Sequence, residues 1–546
     1  MIRIALFSAA LCLLGSCEAT APSNDEMIVE APAGDIRGTT AGGTARFLGI
    51  PYAQAPIGDL RWRPTVPLPR WEGVYEASAS GAACVQPSAP EHSIYYTPYP
   101  NQSEDCLFLD ITAPSDARSA PVMVWIHGGS LLGGTGSDPM YDGAEYADRG
   151  IILVSINYRL GALGYMAHPE LSAESPENIS GNYGLMDQIQ ALEWVQDNIS
   201  AFGGNPNNVT IAGESAGALS VLYLMASPEA KELFHRAISQ SAYMVTMPEL
   251  RNSSFPDIPA SEPTGVWLAG QLGAGNVAEL RAMSAEDITL RATKAGYYPQ
   301  ISIDGKYVTG QLVDIFDKGQ QAQIPVLAGY NEGEIRSLPI LLPPAPDNAA
   351  SYEEEIRQRY IEFADRFLDL YPASDIPESM KATTRDAIYG WTAERLVASQ
   401  ANSGIPSFLY FFDHGYPAAD EAGLHAFHGA EMPFAFGTMS SVPPNWPEIP
   451  ATAEEQALSD AMLDYWASFV RDGAPQADEA PDWQQYDQHR AYMAFEDSPV
   501  GRVNLQNGYA LHEAVTCRRR AIPGLAWSWN VGVIAYPLPE RAPDCE

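Results

Sequence analysis

Positive charge is scarce in this 546-residue chain: 31 lysines and arginines stand against 68 aspartates and glutamates, a formal net charge of −37. A polyanion of this kind is repelled by phosphate backbones and anionic lipid surfaces, which excludes nucleic acid and charge-held membrane surfaces as partners. Long apolar runs are scarce too. The N-terminal run, Met1-Ile-Arg-Ile-Ala-Leu-Phe-Ser-Ala-Ala-Leu-Cys-Leu-Leu-Gly-Ser, is too short to span a bilayer, and no later stretch is long enough. There is no low-complexity tract, internal repeat or long linker. Cysteine is limited to six residues and histidine to nine. With 46% hydrophobic and 18% charged residues, the chain still has the material for a large buried core.

The N-terminal run carries one positive charge, a short apolar stretch and small residues before Cys17, the pattern of an export signal over residues 1–16. Leu14-Gly15-Ser16-Cys17 also resembles a bacterial lipobox, whose cysteine becomes the lipidated first residue; cleavage near Ala19 is the alternative. The expected location is therefore outside the cytoplasm: periplasmic, anchored to the outer membrane as a lipoprotein, or secreted. Membrane contact is expected only through a lipid on Cys17. Residues 17–25 read as a flexible leader and 26–546 as a single domain with large insertions. Cys84, Cys106, Cys517 and Cys545 remain after processing. Pairing Cys84 with Cys106 and Cys517 with Cys545 closes moderate loops, each contributing roughly 3 kcal/mol in the chain-entropy model. Four cysteines allow three connectivities, and all stay open at this point.

Short apolar runs at 122–126, 151–156, 209–212, 324–328 and 408–412 read as strands of a buried, mostly parallel sheet. Helical patterns fall between them. One is predicted over 184–199, one over 351–371 with Ser351 and Glu354 as its capping box, and one over 453–472, opened by Thr452 and stopped by Gly473. Alternating strands and helices imply an α/β doubly wound sheet.

Within that pattern, Val209-Thr-Ile-Ala-Gly-Glu-Ser215-Ala-Gly217 runs from a strand through Gly-x-Ser-x-Gly into a helix. This is a nucleophile elbow, in which a strained turn presents the serine and flanking glycines allow neighbouring backbones to approach. The helix that follows aims its positive end at the site. Upstream, His127-Gly128-Gly129-Ser130 follows a strand and supplies unhindered backbone N–H groups, which a tetrahedral intermediate needs.

Further motifs are Phe47-Leu-Gly-Ile-Pro-Tyr-Ala-Gln-Ala-Pro-Ile-Gly-Asp-Leu-Arg-Trp, Ser103-Glu-Asp-Cys-Leu-Phe-Leu-Asp, Asn157-Tyr-Arg-Leu-Gly-Ala-Leu-Gly-Tyr and Phe202-Gly-Gly-Asn-Pro. Together with the elbow they make the chain resemble the type-B carboxylesterase family over most of residues 27–490. The resemblance implies an α/β-hydrolase fold whose insertions form a gorge, an ester-hydrolysing activity on a small-molecule substrate, and no cofactor or metal. It implies oxyanion donors at the backbone N–H groups of Gly129, Ser130 and Ala216, with Ser130 standing where members commonly have Gly or Ala. It also supports the Cys84–Cys106 pairing.

A serine nucleophile needs a histidine base and an orienting acid, in the chain order Ser, Asp/Glu, His for this fold. Only His428 sits in the family's His-Gly-x-Glu-x-Pro-Phe context; His425 is the runner-up. His425 and His428 lack a third ligand at metal spacing. The family pattern puts the acid at Glu334, with Glu332 as the alternative, and gives Glu214 a buried position that tunes the histidine. The Cys84–Cys106 loop holds Tyr95, Tyr96 and Tyr99 but no tryptophan, which argues against choline esters. The resulting expectation is a serine carboxylic-ester hydrolase, with a bulky natural ester such as a mycotoxin polyester as an alternative substrate. An amidase or thioesterase with the same triad and a non-catalytic binding module are the competing readings.

Overall fold

The computed structural model describes residues 25–529, 531–539 and 545. The expected export signal, Cys17 and all but the last residue of the leader lie outside the described residues. The β-branched and aromatic runs form the middle of one 13-stranded sheet. Its strands are β1 (Asp25–Ala31), β2 (Gly34–Ala41), β3 (Thr44–Pro51), β4 (Val74–Glu76), β5 (Phe108–Pro114), β6 (Ala120–Ile126), β7 (Ile152–Ile156), β8 (Gly204–Glu214), β9 (Arg236–Gln240), β10 (Val326–Asn331), β11 (Ser407–Phe412), β12 (Ala491–Phe495) and β13 (Pro499–Val503). Their order is β1-β2-β3-β5-β7-β6-β8-β9-β10-β11-β12-β13, with β4 pairing β2. From β7 to β12 every neighbour is parallel, whereas both margins are antiparallel apart from the parallel β2–β4 pair.

The parallel core is covered on both faces, as its composition requires. Along β6 the pleat sends Val122, Val124 and Ile126 into one apolar cluster and Met123 and Trp125 into the other. Helices Tyr183–Asn198, Ala216–Ala226 and Trp391–Asn402 pack on the first side, and Ala453–Asp472 on the second. The last helix has the expected ends: Thr452 accepts from the Glu455 amide, and Gly473 closes it at φ +77°.

The pattern over 351–371 resolves differently. Asn348, not Ser351, is the N-cap, and Ser351 is its capping-box partner. The helix stops at Tyr360, turns through Ile361 at φ +49°, and restarts as Ala364–Leu370. The apolar spacing marked the buried residues, because Ile356, Tyr360 and Phe367 are buried in one cluster; it carried no information on whether the backbone between them is continuous. Strands β1–β5, β9, β12 and β13 were not expected from the sequence.

Cys84 pairs with Cys106 and Cys517 with Cys545. The first bridge closes a 22-residue separation beside β5. Replacing Cys84 and Cys106 together by serine is expected to cost about 3 kcal/mol of stability, measured as a lower denaturant midpoint; an unchanged midpoint would show that the loop is held by other contacts.

Candidate active site

The carboxyl ends of β6, β8, β10 and β11 open on one edge of the sheet, where ligands of open α/β sheets bind. β8 delivers Ser215 in a left-handed conformation, φ +55° and ψ −121°, and the helix Ala216–Ala226 begins at the next residue. The turn is possible because two glycines let backbones touch. A Cβ on Gly217 would lie 2.0 Å from the Ile126 carbonyl oxygen, and one on Gly213 would lie 2.5 Å from the Gly217 carbonyl carbon. The Ser215 amide donates to the carbonyl of Gln240 at the end of β9, fixing the turn across the sheet.

Ser215 Oγ is 2.8 Å from His428 Nε2, and His428 Nδ1 is hydrogen-bonded to Glu334 Oε2. All three are buried. The acid follows β10: Glu334 Oε1 accepts from the Asn331 amide at 2.9 Å, and Gly333 pairs with Phe427 of the histidine loop. The histidine is held from behind, since its amide reaches Ser337 Oγ and its carbonyl accepts from the Tyr95 hydroxyl at 2.9 Å. Tyr95 therefore braces His428. Tyr99 instead donates to Asp138.

Beside Ser215, the turn after β6 carries Gly129 at φ +100° and Ser130 at φ +58°. Among the described residues no acceptor takes the amides of Gly129, Ser130 or Ala216. His127 shapes this turn. Burial lowers its pKa to about 4, so the ring is neutral; it contacts the Gly128 carbonyl and stacks on Tyr158, whose hydroxyl donates to the His127 carbonyl. Sequence reasoning had not singled out His127 or Tyr158 as supports, although both lie within recognised motifs.

Neither alternative residue joins the site. Glu332 turns outward to Arg336 and Arg385. His425 lies between Asp420 and Asp413, at 2.7 and 3.0 Å. Glu332, Asp413 and His425 have ligand types within 4.8 Å of one another. Both imidazole nitrogens face carboxylates, however, and Asp413 above all raises the ring's pKa to about 9, which makes His425 the cation of the cluster.

A model described as the carboxylesterase family matches residues 25–513. The chain belongs to the carboxylesterase family. Among this family's members, the fumonisin B1 esterase of Sphingopyxis macrogoltabida is 34% identical over 488 residues, 87% of either chain. The para-nitrobenzyl esterase of Bacillus subtilis (strain 168) is 34% identical over 487 residues, 87% of this chain and 95% of that one. A solved para-nitrobenzyl esterase structure superposes with a TM-score of 0.77 at 31% identity, covering 89% of this chain and 99% of the other. The fold is accordingly the α/β-hydrolase fold, and the chain is a carboxylic-ester hydrolase.

In this carboxylesterase the electrostatics centre on one imidazole among buried carboxylates. Glu214 Oε1 is 3.2 Å from His428 Nε2, and Glu431 is held by Asn331 and Gln240. Burial by itself lowers the His428 pKa, but Glu214 and Glu334 outweigh it and raise it to about 9. Burial raises Glu214 to about 8 against the pull of His428. The two titrations are linked, because a proton on Glu214 removes a charge that favours one on His428. An imidazole must be neutral to accept a serine proton, so an activity that uses His428 as base is expected to appear as pH rises. Glu214→Gln deletes one charge that raises the imidazole; the acid limb of kcat/KM is expected to move to lower pH by about one unit or more. A limb that stays in place or moves upward would show that Glu214 does not bear on the base.

Proposed function

We propose that Ser215 is the nucleophile, His428 the general base and Glu334 the orienting acid of this esterase, with the amides of Gly129, Ser130 and Ala216 as oxyanion hole. What carries the reading is the hydrogen-bonded series Ser215 Oγ, His428 Nε2, His428 Nδ1, Glu334 Oε2. Ser215 Oγ attacks the ester carbonyl as its proton passes to His428 Nε2, and Glu334 stabilises the imidazolium. The oxyanion forms against the three backbone amides at the positive end of the helix Ala216–Ala226. Collapse breaks the bond to the alkoxide, which leaves with the proton from His428. Water, deprotonated by His428, then hydrolyses the acyl-serine.

Short para-nitrophenyl esters are expected to turn over, an organophosphate to leave a single adduct on Ser215, and Ser215→Ala to abolish both; peptide or thioester cleavage exceeding ester cleavage would overturn the reading. A second reading, a specialised esterase for a bulky natural ester, is favoured by the likeness to a protein named for fumonisin B1. Loss of intact fumonisin B1 in the same assay separates it from a general esterase.

We further propose that residues 1–16 are an export signal, that Cys17 is lipidated and that 26–546 acts as one domain. Two disulfides support an oxidising compartment. Expressed whole in a lipoprotein-maturing bacterium, the protein is expected in the membrane fraction, with Cys17→Ala releasing it. Equal distribution of the two forms would count against the lipid anchor.

A further inference from the structure

Between the helices Ile376–Arg385 and Trp391–Asn402 the backbone makes a π-helical turn over Asp386–Gly390. Such a turn holds an extra residue and re-aims the side chains after it, and it recurs at functional positions. Here it turns the buried Tyr389 onto the base: the Tyr389 and His428 ring centroids are 5.3 Å apart at 43°. Tyr243 backs Tyr389 edge-on at 6.0 Å.

The residue entering the turn grips the other end of the triad. Arg385 Nη1 donates to the Glu332 carbonyl at 3.2 Å and to Glu332 Oε1 at 3.1 Å, two residues before the acid. Its Nε donates to the buried Asp386 at 2.7 Å, and Asp386 also accepts from the Tyr371 hydroxyl at 2.9 Å. The same loop is also held by main-chain bonds, Glu332 to the Phe412 carbonyl and Gly333 to the Ala426 carbonyl, by the Asn331 side chain on the Phe427 carbonyl, and by Arg336 within the loop on Glu332. Arg385 thus adds a charged side-chain grip, anchored in the turn that carries Tyr389.

We propose that the Asp386–Gly390 turn positions both partners of Ser215, holding the acid loop through Arg385 and the imidazole plane through the Tyr389 ring. The proposal rests on the assignment of Ser215, His428 and Glu334. Neither Arg385 nor Tyr389 exchanges a proton in the reaction. Both are positioning residues, whose loss misaligns the hydrogen bond between His428 and Glu334. A displacement of about 1 Å at a reacting group can cost about a hundredfold in rate.

The test compares the whole enzyme with Tyr389→Leu, Tyr389→Phe, Arg385→Lys and Ser215→Ala, at a temperature where each is folded by circular dichroism. Tyr389→Leu is expected to lower kcat by about ten- to a hundredfold with KM changed less than about threefold, and Tyr389→Phe, which keeps the ring, to recover kcat to within about twofold. Arg385→Lys, which keeps the charge but loses the planar fork, is expected to lower kcat about tenfold. In Tyr389→Leu and Arg385→Lys the deshielded proton resonance of the His428–Glu334 hydrogen bond should broaden or vanish, which a merely structural role would not produce. A raised KM with kcat intact would make Tyr389 a substrate wall and overturn the proposal, as would an unaltered proton resonance in both variants. Turnover by Ser215→Ala would instead remove the triad assignment itself, so the two failures are distinguishable.

Discussion

The close backbone contact where β8 runs into its helix is the constraint on which the remaining geometry depends. With no Cβ at Gly213 or Gly217, the helix Ala216–Ala226 sits directly against the carbonyl end of β6, and the residue between them is forced to φ +55°. That residue is Ser215. The same contact puts the start of the helix beside the turn after β6, so Ser215 and the Gly129–Ser130 turn are set by one pairing of two neighbouring strands. A strained serine costs of order 1–3 kcal/mol, and the surrounding buried sheet supplies the packing that sustains it.

Charge imposes the second constraint. Glu214, Glu334 and Glu431 are all buried near one imidazole. The chain meets the cost unequally. Glu431 is satisfied by amide side chains and Glu334 by a backbone amide and the imidazole, whereas Glu214 has only its close approach to His428. This unevenness goes with raised pKa values, about 8 for Glu214 by burial and about 9 for His428 by the neighbouring carboxylates, and the two titrations are linked. Outside this cluster, Glu332 pairs with Arg385 and His425 with Asp413 and Asp420, on the two loops that bear Glu334 and His428.

Much of the site was legible because its chemistry is written in contiguous residues. The elbow needs glycines two positions either side of the serine, and the oxyanion turn needs glycines after a strand; both leave local signatures. Most of the inner parallel strands were legible for a related reason, since a strand covered on both faces is apolar along its length; β9 was not, because Arg236, Ser239 and Gln240 interrupt its apolar run. The outer strands β1–β4 and β13 have a solvent face and blur into loop composition. The break at Ile361 was invisible, because two short helices and one long one bury the same spacing of Ile356, Tyr360 and Phe367.

By itself the sequence determined the fold class and the family and named the candidate nucleophile, acids and bases, because each rests on local pattern or on motif order along the chain. Only the tertiary structure shows which of Glu334 and Glu332 faces His428, since both lie within three residues of the end of β10 and only the course of the loop turns one inward to the imidazole and the other outward to arginines. It likewise shows that His425 sits between two carboxylates, that the Tyr95 hydroxyl donates to the His428 carbonyl and that Tyr389 lies against the His428 ring. These relations join residues tens to hundreds of positions apart. They follow from how loops at one sheet edge pack against each other, a property of the assembled core that no single segment carries.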